Sequence, residues 1–373
     1  MTERKEKPVL LALILSLEGG GAERIFTRVL RNLSSGFEVV VVAFYPKGRY
    51  LNEILSIPGV TLCSLDGDKG NTLSFALRLR RIIRKVNPSK VLSFLYYPNM
   101  VTYLSLFGMQ TPFILSERSN HRFYLGGSVK HKIWRIILAG AYRKASAVIT
   151  VSEKVRDYIA EDFRIKPSKI EVIHNGIDFD FLDRLKGEPV KEFKFEKGLK
   201  YILAVGSLVK AKNYMLLIES FGIAAARRSD LRLIILGSGV LEKELKRMAE
   251  ARNLGSLVSF MGYVENPYSY MAAATCYVLS SQWEGFPNTL LEALYINGHV
   301  VSTDCPTGPS EIISHGVDGL LCEPGNPHQL AEAIEKMCYD EKFRQMVYNN
   351  SRQKIVNFGE EKMITRYREL LMR

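Results

Sequence analysis

No apolar run in this 373-residue chain approaches the roughly 18 residues a membrane-spanning helix needs, so no such helix is expected. Cysteine is scarce. Cys63, Cys276, Cys305, Cys322 and Cys338 are odd in number, widely spaced and without a CxxC pair. That pattern excludes a disulfide frame or a zinc site and predicts packed, reduced thiols with no metal. A secretory leader is not expected either. Arg4, Lys5 and Lys7 ahead of Pro8–Leu17 imitate one, but no small-residue cleavage site follows. Pro8–Leu17 is therefore read as a first buried strand, and the protein as cytoplasmic. There is no low-complexity tract, and no internal repeat with a period of about 20–50 residues.

What the chain does have is charge, unevenly spread. Lys and Arg number 51 against 39 Asp and Glu, a net +12. Residues 1–184 hold 28 basic and 17 acidic side chains, net +11; the remainder holds 23 and 22, net +1. A basic half suits nucleic acid, an anionic membrane or an anionic substrate. No reader motif or basic-aromatic platform supports nucleic acid, which is not expected as a partner. With 47% hydrophobic and 24% charged residues the chain has material for two globular domains.

The most informative stretch runs from Trp283 to Glu292. Cys276–Ser280 before it is short, apolar and β-rich, whereas Leu290, Leu291, Ala293, Leu294 and Ile296 recur at helical spacing. Glu284 thus sits at a strand-to-helix turn, and Glu292 about one turn into the helix. Pro287 and Asn288 suit the first helical turn, whose N–H groups and dipole favour an anion. Two carboxylates beside an anion site at the edge of a parallel sheet point to a hydroxyl-rich phosphorylated ligand. The plainer alternative is an acid complementing the helix dipole plus a solvated glutamate.

The rest alternates strands with helices. Strands are expected at Val9–Leu15, Glu38–Phe44, Val60–Leu62, Val91–Leu95, Phe113–Leu115, Ala147–Val151 and Ile170–Ile173. After a polar stretch the alternation restarts with Tyr201–Val205, Leu231–Leu236, Val258–Phe260, Val300–Thr303 and Gly319–Leu321. This predicts an α/β protein with two doubly wound parallel sheets facing a cleft. The expected domains are 1–185, a linker at 186–198, 199–352, and a terminal helix at 353–373 crossing back to the first domain.

Several loops fall at strand ends. Gly19-Gly20-Gly21 follows the first strand and allows close approach of a phosphate or sugar, although it is not the GxGxxG fingerprint. Ser116–Arg122 follows the fifth strand and is expected to face the cleft. Gly206–Asn213 carries Lys210, read as solvent-facing, and Lys212, read as the phosphate partner. The helices over Thr72–Val86 and Val129–Arg143 are basic. On the second, Lys130, Lys132 and Arg135 interleave with Ile133, Trp134 and Ile136, which fits either an interfacial helix or a core-facing apolar stripe with a solvated side.

In this context Glu-Gly-Phe-Pro-Asn-Thr-Leu-Leu-Glu, from Glu284 to Glu292, matches the E-x7-E motif of the retaining glycosyltransferases of family 4. Gly19–Glu23, His174–Asp178, Gly206–Asn213 and Gly237–Gly239 extend the resemblance over nearly the whole chain. The resemblance implies a GT-B fold, a nucleotide-sugar donor held mainly by the second domain, an acceptor held by the first, and no metal or other cofactor. It places Glu292 on the ribose, Tyr263 near the base, and Lys212 with the Asn288, Thr289 and Leu290 N–H groups on the diphosphate. Glu284, Phe286 and Pro287 would face the sugar, and Gly20 and Gly21 would close over the phosphates. Many relatives carry Arg where this chain has Ser207, and His where it has Arg118, with His121 a turn later. Glu284, Lys212, Arg118 and His121 are thus the catalytic candidates.

The sequence looks closest to bacterial transferases that extend undecaprenyl-diphosphate-linked oligosaccharide or lipopolysaccharide core. A UDP-sugar donor, a lipid-linked glycan acceptor and a peripheral position on the inner face of the cell membrane follow as expectations. Arg118, Arg122, Lys130, Lys132, Trp134 and Arg135 would meet the acceptor or membrane. A soluble acceptor, or a non-catalytic sugar-nucleotide or nucleic-acid binder, is the alternative.

Overall fold

The computed structural model describes residues 7–66 and 70–373, so Arg4 and Lys5 of the leader-like segment lie outside the described residues. The chain divides into two units, Met1–Asn175 with Met363–Arg373, and Gly176–Lys362.

The first unit contains β1 (Val9–Ser16), β2 (Glu38–Tyr45), β3 (Val60–Ser64), β4 (Lys90–Phe94), β5 (Phe113–Glu117), β6 (Ala147–Thr150) and β7 (Ile170–Val172). They form one sheet in the order β3-β2-β1-β4-β5-β6-β7, with every pairing parallel. Period-2 alternation explains the near-continuous apolar strands. Leu11, Leu13, Val40, Val42 and Leu115 enter one core, while Leu10, Ala12, Val39, Val41 and Ile114 enter the opposite one. A strand buried on both faces has no use for polar residues. Helices cover both faces. Thr72–Val86 starts at a capping box of Asn71 and Ser74, and Val129–Lys144 at Ser128, whose side chain accepts from His131 N.

The segment from Phe343 to Leu371, read as helix near Phe343–Asn349 and again over about Ile355–Leu371, is built differently. One helix spans Glu341–Ile355 and the last spans Glu360–Met372. The break occurs because Ile177 N donates to Phe358 O at 2.9 Å and Glu360 N to Ile177 O at 2.9 Å. Met363, Ile364, Tyr367, Leu370 and Leu371 of the last helix complete the core that holds Leu10 and Ile114.

In the second unit β8 (Lys200–Val205), β9 (Leu231–Leu236), β10 (Val258–Gly262), β11 (Cys276–Leu279), β12 (Val300–Thr303) and β13 (Leu320–Cys322) form a parallel sheet in the order β10-β9-β8-β11-β12-β13. Its strand order reverses between β8 and β11, where ligands of open α/β sheets bind outside the carboxyl ends. The stretch expected as a linker is anchored within this unit: Phe193 and Phe195 pack on Tyr201 at 5.6 and 4.8 Å, and Asn266 Nδ2 donates to Glu188 Oε2 at 3.1 Å. The five cysteines are free. Among the described residues no helix is long and apolar enough to cross a membrane.

Candidate functional site

The second unit assembles its site at that switch point. Beyond β8, the Gly206–Asn213 loop is held by Leu208 N donating to Ser238 O at 2.9 Å and by Tyr214 OH donating to Gly206 O at 3.1 Å. Gly237 has φ +135°, and a Cβ there would overlap the Gly206 carbonyl, so glycine is what lets the two loops touch. Lys212 is presented from this loop. Beyond β11, Ser280 Oγ donates to Lys212 O at 2.9 Å and Gln282 N to Ala211 O at 2.8 Å. The lysine loop and the acidic loop are therefore tied through their main chains.

Lys212 Nζ and Glu284 Oε1 meet at 2.5 Å, with side chains 24% and 10% exposed. Ser281 Oγ donates to the same Oε1 at 2.7 Å. The Glu284 carbonyl accepts from Thr307 Oγ1, and Thr307 is fully buried. Directly after the acidic loop, the Asn288–Ile296 helix begins at Pro287 with no side-chain cap. Its first N–H groups carry the positive end of the dipole. Tyr277, buried beneath, donates its hydroxyl to Thr289 Oγ1 at 2.8 Å. Burial pushes the Tyr277 phenol well above its ordinary value. The arrangement pairs a cation with a carboxylate 72 residues along the chain, just ahead of a helix N-terminus, groups suited to a phosphorylated sugar.

The other donor-side candidates fall around this centre. Phe286 is buried and packs 6.0 Å from Phe358. Glu292 is only 2% exposed, so it is not the solvated helical glutamate of the plainer reading. Ser207 and Tyr263 are exposed, Tyr263 by 52%, and Gly237 N donates to Gly262 O at 2.6 Å beside it. Lys210 is exposed, as read.

In the first unit Gly20 caps the Gly21–Leu33 helix in extended conformation, and Gly20 and Gly21 are exposed. The Ser116–Arg122 stretch departs from expectation. Arg118 is 8% exposed; it donates through Nη1 to Tyr367 OH at 3.2 Å and through Nη2 to Asn175 Oδ1, and it lies 5.3 Å from the Phe94 ring centroid. His121 is 1% exposed, with Nε2 at 2.7 Å from Asp162 Oδ2 and its ring 4.8 Å from that of Phe163. Burial pushes its imidazole below the ordinary histidine value, although Asp162 opposes this. Both catalytic candidates of this unit thus lie in its interior, each hydrogen-bonded to internal partners.

Arg122, by contrast, is exposed and engaged by two acids. Its guanidinium binds Asp162 through Nε and Nη2, both at 2.8 Å, and Glu161 at 2.6 Å. These bonds, led by Arg122, hold the Asp162 carboxyl down at about 2. Arg135 adds a 3.7 Å contact to Asp162. Trp134 is half-buried against Tyr96 and Tyr97 at 6.1 and 5.8 Å, not a free membrane anchor, while Lys130 stands 4.6 Å over its ring. Lys130 and Lys132 are exposed. The exposed apolar positions of that helix are Val129, Ile133 and Ile136, at 74%, 52% and 72%.

Sequence reasoning missed Glu117. It ends β5 fully buried, with Asn99 Nδ2 donating to Oε1 at 2.7 Å, and burial pushes its carboxyl up to about 7. It also missed Ser281 and the contacts by which the Thr303 and Thr307 hydroxyls fix the acidic loop; a serine or threonine gives no signal of its partner until strands are placed side by side. Among the described residues no group of three His, Cys, Asp or Glu is placed to hold a metal ion.

Comparison with known proteins agrees with this geometry. Residues 19–181 match the family "Glycosyltransferase Family 4", and residues 187–354 match "Glycosyl transferases group 1". The chain is 30% identical to the Campylobacter jejuni N-acetylgalactosamine-N,N'-diacetylbacillosaminyl-diphospho-undecaprenol 4-alpha-N-acetylgalactosaminyltransferase, over 94% of this chain and 95% of that one. It is 26% identical, over 93% of each chain, to a second C. jejuni enzyme named as an alpha-1,4-N-acetyl-D-galactosaminyltransferase acting on a PP-undecaprenol-linked glycan. In fold it matches a glycosyltransferase of Rickettsia africae with TM-score 0.81 and 19% identity, covering 98% of this chain and 99% of that one. Anabaena HepE, crystallised with UDP-glucose, matches with TM-score 0.81 and 18% identity over the same shares. The chain belongs to glycosyltransferase family 4 and is a glycosyltransferase of GT-B fold.

Proposed function

We propose that this glycosyltransferase moves a hexose or N-acetylhexosamine, with retention of configuration and without a metal ion, from a UDP-sugar to a lipid-linked oligosaccharide at an anionic membrane surface. The observation that carries the reading is the Lys212–Glu284 pair at 2.5 Å beside the uncapped start of the Asn288–Ile296 helix. As the bond from the sugar C1 to the diphosphate breaks, its electron pair stays on the leaving oxygen. Lys212 and the Asn288, Thr289 and Leu290 N–H groups meet that charge where it grows, which is the service a divalent cation gives elsewhere. The acceptor hydroxyl attacks C1 from the face the diphosphate leaves, and its proton passes to the departing phosphate oxygen. Glu284 orients the sugar and opposes the cationic character at C1, and Glu292 binds the ribose.

The acceptor class rests on kinship and on charge. Both C. jejuni relatives are named for an undecaprenol-linked acceptor and an alpha product, as retention from an α-linked nucleotide sugar would give. The net +11 of residues 1–184 and the exposed Lys130, Lys132, Ile133 and Ile136 suit the cytoplasmic leaflet. The test is nucleotide release from a panel of UDP- and GDP-sugars in EDTA, with and without a polyprenyl-diphosphate-linked acceptor. Release with one UDP-sugar and only the lipid acceptor is the expected result. Equal turnover on a soluble glycan would remove the lipid acceptor from the reading.

A further inference from the structure

Two adjacent serines follow β11, and each grips a different half of the site's ion pair. Ser280, 3% exposed, donates its Oγ to the main-chain oxygen of Lys212 at 2.9 Å. Ser281, fully buried, donates its Oγ to Glu284 Oε1 at 2.7 Å, the same oxygen that Lys212 Nζ reaches at 2.5 Å. Ser281 is itself fixed: Thr303 Oγ1, at the end of the neighbouring β12, donates to Ser281 O at 2.6 Å. The main-chain end of Glu284 is pinned separately by Thr307. One carboxylate oxygen therefore has two donors, one neutral and rigid, the other a charged head on a flexible stem.

A diphosphate offers that ammonium a stronger partner than a single carboxylate, because more negative charge converges on it. Once Lys212 turns to the phosphates, Glu284 keeps one internal donor on Oε1. We infer that the Lys212–Glu284 pair is a resting arrangement exchanged when donor binds, and that Ser281 is the positioning residue that then holds the Glu284 carboxylate aimed at the sugar. Ser280 has the complementary task of placing the lysine. This rests on the reading above that Lys212 serves the diphosphate.

The two serines should therefore separate binding from turnover. In the full-length protein, UDP affinity is measured by calorimetry, and kcat and KM with the preferred UDP-sugar. Ser281→Ala should lower kcat about 10- to 100-fold, the worth of one hydrogen bond to a charged group, while UDP, which lacks the sugar, binds within about twofold of wild type. Ser281→Thr, which keeps the hydroxyl, should recover most of the rate. Ser280→Ala should do the reverse and weaken UDP about 3- to 10-fold with a smaller effect on kcat. Loss of UDP affinity in Ser281→Ala matching its loss of rate, or equal activity of the Ala and Thr variants, overturns the inference. Lys212→Ala separates the premise: if it leaves UDP affinity unchanged, Lys212 does not serve the diphosphate and both readings fall. If it abolishes affinity while Ser281→Ala turns over normally, only the inference does.

Discussion

Arg118 Nη1 donates to the hydroxyl of Tyr367 across 3.2 Å, joining residues 249 apart in the chain. With Asn175 on its other nitrogen and Phe94 beneath, the guanidinium is an internal tie that secures the last helix to the first sheet. Arg118→Ala strands buried polar groups and should cost about 2–4 kcal/mol, whereas Tyr367→Phe should cost about 1 kcal/mol. Denaturant unfolding measures both. Nucleotide affinity should be unchanged in either, and a selective loss of turnover at normal stability would return Arg118 to the chemistry.

Glu117 should make stability fall as pH rises. Its carboxyl, raised to about 7 in the folded state, binds a proton there that the unfolded chain, with an ordinary value near 4.5, has already released. Between those values the unfolded state binds fewer protons, so stability declines through about pH 4.5 to 7 and levels off above. Glu117→Gln keeps an acceptor for Asn99 and should abolish that decline, gaining up to about 3 kcal/mol at pH 8 relative to pH 4.5. Urea titrations of both proteins across that range check the sign.

The Lys212–Glu284 charge pair is the next test. Lys212→Ala should lower kcat/KM by about 10²–10³, the loss seen when one preorganised donor to a leaving group is removed. Glu284→Gln keeps the shape of the side chain and its bond from Ser281 but removes the charge. It should lower kcat more than it raises KM, since the sugar acquires positive character only in the transition state.

For the membrane, the exposed residues make the prediction, not Trp134. Ile133→Ser with Ile136→Ser should weaken sedimentation with anionic vesicles several-fold, through the loss of two apolar anchors. Lys130→Glu with Lys132→Glu should do so at low salt and less at high salt. Turnover of a short-chain, detergent-soluble acceptor should survive both double variants. Unchanged vesicle binding in both would remove this helix from the interface.

The sheets were legible because fully buried parallel strands leave unbroken apolar runs; Val39–Val42 needs no partner to be read. The candidate site was legible for a related reason: Lys212, Glu284 and the Pro287–Asn288 start all lie in loops that follow strands. What stayed hidden depends on contacts across distance in the chain. Nothing near Arg118 reveals Tyr367, and nothing near Ile355 reveals that Ile177 will pair with Phe358 and Glu360 and stop the helix. The helix Tyr96–Ser105 has Pro98 in its first turn and follows Leu95 at φ +77°, so no periodic stripe or cap announces it. Asp162 looks like an ordinary surface acid until Arg122 and His121 converge on it.

Residues Gly176–Lys362 are enclosed within the sequence of the first unit, whose core is completed by Met363, Tyr367 and Leu371. During synthesis the ribosome makes all seven strands of the first sheet early, yet one helix that covers part of one face emerges only after the whole second unit. The second unit has all its own parts sooner and can finish folding first, reversing the amino-to-carboxyl order usual for successive domains. Until that helix emerges, part of the apolar surface in the core of Leu10, Ala12 and Ile114 stays uncovered, and a chain broken before Met363 would carry that defect permanently.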